Sequence, residues 1–243
     1  EIAQCLVGSE MCIRDRFSIV LCLVCLFSFL SVGAAETAQD EFLSELSGRT
    51  YVELFPEFAK DEYHQAWLDV VTPIIGEDAA EDVVAYLLSV CMGSLYGEEA
   101  IAAYEADPDS MQFNCYYLGG VKKVTVDGNT IYGVDEAGNE VFRHNYVPMD
   151  LENENGFIFY QSEDAESGQF TYFAFSPDTM ATTWHLEFRY AENVEDLQSW
   201  FEGSYAYWNV GAIAEDYSEE EILSAINLFA TENLSEEEEE EAA

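Results

Sequence analysis

The chain reads as a mainly β protein with α-helices at its flanks: an antiparallel meander closed as a barrel or sandwich. Three observations predict this. From Val121 to Tyr190, short runs alternate apolar and polar residues, the two-residue period of a strand. Gly, Asn and Asp clusters such as Asp127-Gly128-Asn129 and Glu136-Ala137-Gly138-Asn139 punctuate these runs every several residues. Before Met111 and after Ser218, the apolar residues instead recur at helical spacing.

Taken in order, Phe42 to Phe58 carries Leu43, Leu46, Tyr51, Leu54 and Phe55, with Gly48 and Pro56 as punctuation. It predicts a short helix, then a strand or turn covering one end of the core. Asp61 to Val71 holds a helical stripe of Tyr63, Trp67, Val70 and Val71, with His64 on the helix surface. Asp78 to Leu95 is the clearest helix, and Gly97 to Tyr104 is a second, opened by Glu98 and Glu99 at its positive end. Asp107-Pro108-Asp109-Ser110 breaks it, so the segment from about 76 to 106 forms a helical insert or cap. Strands are expected at Phe113–Leu118, Val121–Val126, Thr130–Val134, Glu140–Val147, Phe157–Gln161, Phe170–Ser176 and Trp184–Tyr190. Asn193 to Phe201 reads as a short helix. The aromatic run from Trp200 to Trp208 closes the core. Ser218-Glu219-Glu220-Glu221 is a capping box opening a last helix with Ile222, Leu223, Ile226, Phe229 and Ala230 on one face. The acidic run Glu236 to Glu241 is a solvated, disordered tail, residues 235–243.

Residues 1–16 are a leader to which no pattern assigns a role. Arg14 and Arg16 then precede an apolar run from Phe17 to Val32, small residues Gly33-Ala34-Ala35 and a polar stretch. That order predicts a signal peptide over 17–35, cleaved after Ala34 or Ala35. The run of about 16 residues is short for a bilayer span, so no stable membrane insertion is expected after cleavage. Four of the six cysteines lie in this leader; Cys91 and Cys115 remain, as one disulfide or as small core residues. The formal net charge of -41 excludes phosphate-driven nucleic-acid binding, and it concentrates cations near the surface. Aromatics at 14% argue against a disordered chain. Outside the leader there is no nucleophile elbow, phosphate loop, His-Glu-x-x-His or Cys pair at metal spacing, so an enzyme is not expected.

The chemistry concentrates between Phe170 and Tyr190. Trp184, Leu186, Phe188 and Tyr190 form the apolar face of one strand, leaving His185, Glu187 and Arg189 on the other. Asp178, in the preceding loop, can fold back toward them. An imidazole and two carboxylates converging on one point can hold a divalent metal. The bland alternative is a solvated polar face, and Arg189 favours it because a cation repels a metal unless Glu187 pairs with it. His144 sits with Phe142 and Tyr146 on a core-facing strand, as a packed histidine or as a second imidazole for the site.

The order of these features resembles the ZinT family. The likeness rests on Leu46-Ser47-Gly48, Tyr51 and Phe55-Pro56, the strands from Val121, the Phe157 to Phe175 hairpin, Ser176-Pro177-Asp178, the His185-Leu186-Glu187 strand, the aromatic turn and the capped last helix. It spans about residues 41–234 and fits least over 76–106. The resemblance implies a lipocalin-like (calycin) antiparallel barrel with flanking helices, exported and zinc-binding, as found also fused to zinc-capturing transport proteins. It implies divalent-metal capture or delivery outside the cytoplasm, with a metal-uptake transporter's binding protein as partner. The family's Ser-Asp-His and His-x-His motifs fall on Ser176-Pro177-Asp178 and His185-Leu186-Glu187, which makes His185, Glu187 and Asp178 the implied ligands. Two carboxylates stand where the family has imidazoles, and oxygen donors shift preference from zinc toward harder divalent metals. The alternative is a barrel that has lost its metal and binds a small apolar ligand or a protein partner in an aromatic-lined interior.

Overall fold

The computed structural model describes residues 42–108, 112–151, 156–176 and 185–234. The expected signal peptide, the acidic tail, Trp184 and Asp178 lie outside the described residues. Eight antiparallel strands close into a barrel: β1 (Arg49–Glu53), β2 (Lys123–Asp127), β3 (Thr130–Val134), β4 (Glu140–Pro148), β5 (Ile158–Ser162), β6 (Tyr172–Phe175), β7 (His185–Ala191) and β8 (Val210–Ala214). Each strand pairs with its sequence neighbour, and β8 returns to β1 with Val52 opposite Ile213, which leaves no open edge. This is the lipocalin-like barrel with flanking helices that the sequence predicts.

Alternation sends one set of side chains inward. Tyr51, Val124, Val126, Ile131, Phe142, Tyr146, Tyr160, Phe173, Phe175, Leu186, Phe188 and Tyr190 are all buried in one cluster. The rings expected to line a ligand cavity instead pack on one another. Phe142 stacks on Phe170 at 3.9 Å between centroids, and Phe173 meets Tyr146 edge-on at 5.2 Å. Gly133 makes this possible: a Cβ there would come within 2.4 Å of the Phe142 ring.

The outer face of β1 and β8 is covered by helices. These are α1 (Leu54–Phe58), α2 (His64–Ile75), α3 (Glu77–Val90), α4 (Glu98–Ala106) and α5 (Glu219–Leu234). Trp67 and Val71 of α2, Val84 and Leu87 of α3, and Ile222 and Ile226 of α5 share a second core with Ile213 of the barrel wall. The capping box forms as expected: Glu221 N–H donates to Ser218 Oγ at 3.2 Å, and Ser218 N–H donates to Glu221 Oε2 at 2.5 Å. A third, smaller core joins Phe157, Phe159, Ala174, Leu197 and Trp200 outside β5 to β7.

Several expectations are corrected. Phe113–Leu118 is not a barrel strand: it makes only isolated bridges, Asn114 to Met92 on one side and to Trp208 on the other. It is wedged between the end of α3 and the chain leading into β8, with Asn114 N–H donating to Tyr207 O at 2.9 Å. The helix expected over 78–95 stops at Val90, because Met92 and Gly93 turn to pair with this wedge. The helix expected at 193–201 is one 3-10 turn, Val194–Leu197. Strand β8 was not expected, since all five of its residues are buried and it carries no alternation.

The polar face of β7 is largely covered. Arg189 is fully buried, and its guanidinium donates to the carbonyls of Leu197 at 2.9 Å, Ser199 at 2.7 Å and Tyr205 at 2.6 Å. These carbonyls belong to the last residue of the 3-10 turn and to the chain after it, so a side chain does what a continuing helix would have done. Burial lowers the Arg189 pKa to about 10. Arg189 does not pair with Glu187; its guanidinium is held by these three carbonyls instead.

Candidate functional site

The site is built on the outer face of the barrel wall. In β7, His185, Glu187 and Arg189 point away from the interior, opposite in parity to Leu186, Phe188 and Tyr190. His185 lies across from Ile213 of β8, and Glu187 lies across from Gly211. Gly211 leaves space beside Glu187, since a Cβ there would already touch the Phe55 ring at 3.3 Å.

Above this patch the helices do not close completely. A cavity of about 110 Å³ remains between β7, β8 and α5. Its apolar walls come from Phe55 and Phe58 of α1, Val90 of α3, Phe113 of the wedge and Phe229 of α5. Its polar groups include His185, Glu187, Asn209, Glu232, Asn233 and the thiols of Cys91 and Cys115. The His185 side chain is 12% exposed and that of Glu187 is 29% exposed. His185 Nε2 stands 3.8 Å from Glu187 Oε1, and Asn209 Nδ2 donates to Glu187 Oε2 at 3.3 Å.

Two buried polar atoms of residues lining this cavity have no partner among the described residues: Asn209 Oδ1, an acceptor, and Trp200 Nε1, a donor. An unmet buried group of this kind costs about 1–3 kcal/mol unless something in the cavity meets it. Cys91 and Cys115 are free thiols, each 8% exposed. The Cys115 thiol is held well above the usual range, first by its hydrogen bond with Cys91, then by burial and by the negative charge of Glu187.

No protein-family model matches the chain, and no curated protein matches it. Two solved structures are similar in fold. Zn(II)-bound AdcA from Streptococcus pneumoniae is 18% identical with a TM-score of 0.44, over 76% of this chain and 35% of that one. The Zn(II)-bound ZinT-like domain of Streptococcus pneumoniae AdcA is 18% identical with a TM-score of 0.44, over 79% of this chain and 89% of that one. The chain thus spans about a third of the length of AdcA.

Of the residues singled out from the sequence, His185 and Glu187 come together on the cavity wall. Asp178 lies outside the described residues. His144 is not brought to them: it sits on β4, with Nδ1 2.8 Å from Asp164 Oδ2 and its ring beside Phe142. His64 is on the surface of α2, 3.1 Å from Glu81. Among the described residues, no group of three His, Cys, Asp or Glu side chains is placed to hold a metal ion. Sequence reasoning missed Asn209 and the approach of both thiols to this cavity. Asn209 follows an aromatic run and precedes a strand without alternation, so no pattern singles it out.

Proposed function

We propose that this chain binds a divalent metal ion of the zinc type, for capture or delivery outside the cytoplasm. The proposed donors are His185 Nε2, the Glu187 carboxylate and Asp178, seven residues before His185 in the sequence. One observation supports this most. The 3.8 Å between His185 Nε2 and Glu187 Oε1 is too long for a hydrogen bond. It is within a few tenths of an ångström of the about 3.4 Å that separates two ligands of a tetrahedral ion. The pair also faces a cavity rather than packed side chains. Asn209 holds one carboxylate oxygen through its Nδ2 and leaves the other toward His185.

The ion is cargo, and no bond is broken. Binding weakens in acid, because protonating the imidazole removes the lone pair that ligates. The domain over 41–234 is the proposed binding unit. The apolar run over 17–32 and the small residues at 33–35 support export by a signal peptide, and a metal-uptake transporter's binding protein is the proposed recipient.

The test is isothermal titration of zinc into the full chain at moderate salt, beside His185→Ala and Glu187→Gln. The expected result is a saturable one-to-one isotherm, weakened more than about 10-fold in each variant, since even residues behind a ligand cost that much. Weak, multi-site, salt-sensitive heat identical in all three proteins would overturn the proposal.

A second reading is favoured by the apolar walls and by the unmet Asn209 Oδ1 and Trp200 Nε1. In it, a small apolar molecule with one donor and one acceptor occupies the cavity outside the barrel, not the interior. Zinc-independent binding of N-phenyl-1-naphthylamine, unchanged by His185→Ala, would favour it.

A further inference from the structure

Cys91 and Cys115 are far apart in sequence and meet through one detail of the fold. The wedge runs antiparallel to the chain leaving α3, bridged at Met92 and Asn114. Gly93 N–H donates to Phe113 O at 2.9 Å, and Phe113 N–H donates to Val90 O at 2.8 Å. Cys91 precedes Met92 and Cys115 follows Asn114, so this antiparallel bridge brings the two cysteines next to each other. A disulfide accepts Cα atoms about 4.4–6.8 Å apart, a separation within reach of residues that flank a bridged pair. The two side chains are close enough that Cys91 is the first cause of the raised pKa of the Cys115 thiol, and both line the same cavity. Both are buried on the same cavity wall, and neither is bonded to another cysteine.

We propose that Cys91 and Cys115 are a disulfide pair, formed when the chain folds in an oxidising compartment, which ties the end of α3 to the barrel. The cross-link is not local. Cys115 O accepts from Gly211 N–H of β8 at 3.2 Å, and Asn114 is bonded to Tyr207 and Asn209 on either side of Trp208. Joining Cys91 to Cys115 therefore fastens the helical layer to the same strand that lies across from His185 and Glu187. It also removes both thiols as ligands, leaving nitrogen and oxygen donors on the cavity. The pairing goes beyond the metal reading and stands without it.

The chemistry needs an external oxidant, and a small-molecule or protein disulfide supplies it. One cysteine thiolate attacks a sulfur of the oxidant and releases a thiol, forming a mixed disulfide. The second cysteine thiolate displaces the remaining half as another thiol. Two protein thiols lose two protons and two electrons, and one oxidant disulfide becomes two thiols.

The test uses the full chain, refolded in a buffer of oxidised and reduced glutathione. Remaining thiols are blocked in denaturant, and the protein is cleaved after glutamate; Glu98, Glu99 and Glu105 lie between the two cysteines. The expected product is a Cys91 peptide joined to a Cys115 peptide, two hydrogens lighter than the separate pair and released by reductant. Cys5, Cys12, Cys22 and Cys25 serve as the internal control. A Cys91–Cys115 link no more abundant than links to these four would overturn the proposal, as would blocked Cys91 and Cys115 in folded protein. A second measurement separates a structural tie from incidental oxidation. The oxidised parent should melt several degrees above the reduced parent. A Cys91→Ala/Cys115→Ala variant should show no such difference, and equal melting of the two parent forms would refute the tie.

Discussion

Replacing Arg189 by Met removes the guanidinium but keeps a long apolar side chain in the same space. The magnitude follows from the three carbonyls it serves, at 2.6–2.9 Å on Leu197, Ser199 and Tyr205. Each hydrogen bond to a charged donor contributes about 1.5–3 kcal/mol, so together the three amount to roughly 5–9 kcal/mol. Against this stands the cost of burying the charge. Its pKa falls from 12.5 to about 10, equivalent to about 3 kcal/mol. Arg189 Nε, without a partner among the described residues, adds to that cost. The Met variant escapes the burial cost but loses all three bonds, with Tyr205 O keeping the Trp208 N–H at 3.3 Å, and the net loss should be about 3–5 kcal/mol, the range for breaking a buried charged network. That is a large share of the 5–15 kcal/mol that holds a typical domain together.

The assay is urea unfolding of parent and Arg189→Met, followed by tryptophan fluorescence. Trp200 lies 5.0 Å from the guanidinium, so its emission also reports the change locally. The midpoint should fall with the slope unchanged. A loss under about 1 kcal/mol would refute the reasoning, because it would mean that the chain from 197 to 205 holds its shape without these bonds.

Two further predictions concern stability. Burial raises the Tyr51 hydroxyl to about 12, and burial likewise raises Tyr117, Tyr146 and Tyr190. A folded pKa above the unfolded value of 10 means the native state holds its protons more tightly. Stability is then intact below pH 10 and falls as pH rises through 10 to 12, with Tyr51 alone contributing about 2 kcal/mol of loss by the top of that range. Tyrosinate absorbance and loss of helical circular dichroism should therefore rise together; tyrosinate forming fully before any unfolding would refute this. Ser218→Ala removes the acceptor for Glu221 N–H and should cost about 1 kcal/mol in urea unfolding, and no measurable loss would show that α5 does not depend on this cap.

Strands β2, β3 and β4 were legible within two residues of their bounds, because each presents one face to the interior and one to solvent, and that asymmetry is written as alternation. The same asymmetry marks α3 and α5, whose inward faces repeat at helical spacing. His185 and Glu187 were legible as neighbours on the outward face of β7, since period two puts them there whatever the fold. Burial of that face was not legible. A strand covered by helices on its outer side keeps its polar residues, and only the tertiary structure brings α1, α5 and the wedge over His185 and Glu187. Strand β8 was invisible for the complementary reason: with interior on one side and helices on the other, both faces are apolar and the period vanishes. Arg189 looked like a solvated cation because its partners are backbone carbonyls, which every residue carries and no sequence pattern marks. The meeting of Cys91 with Cys115 was decided by a single pair of bridged residues, Met92 and Asn114. Local periodicity thus determined which face each side chain takes, while the packing of one layer on another decided what each face meets, because contacts between distant segments leave no period in the chain.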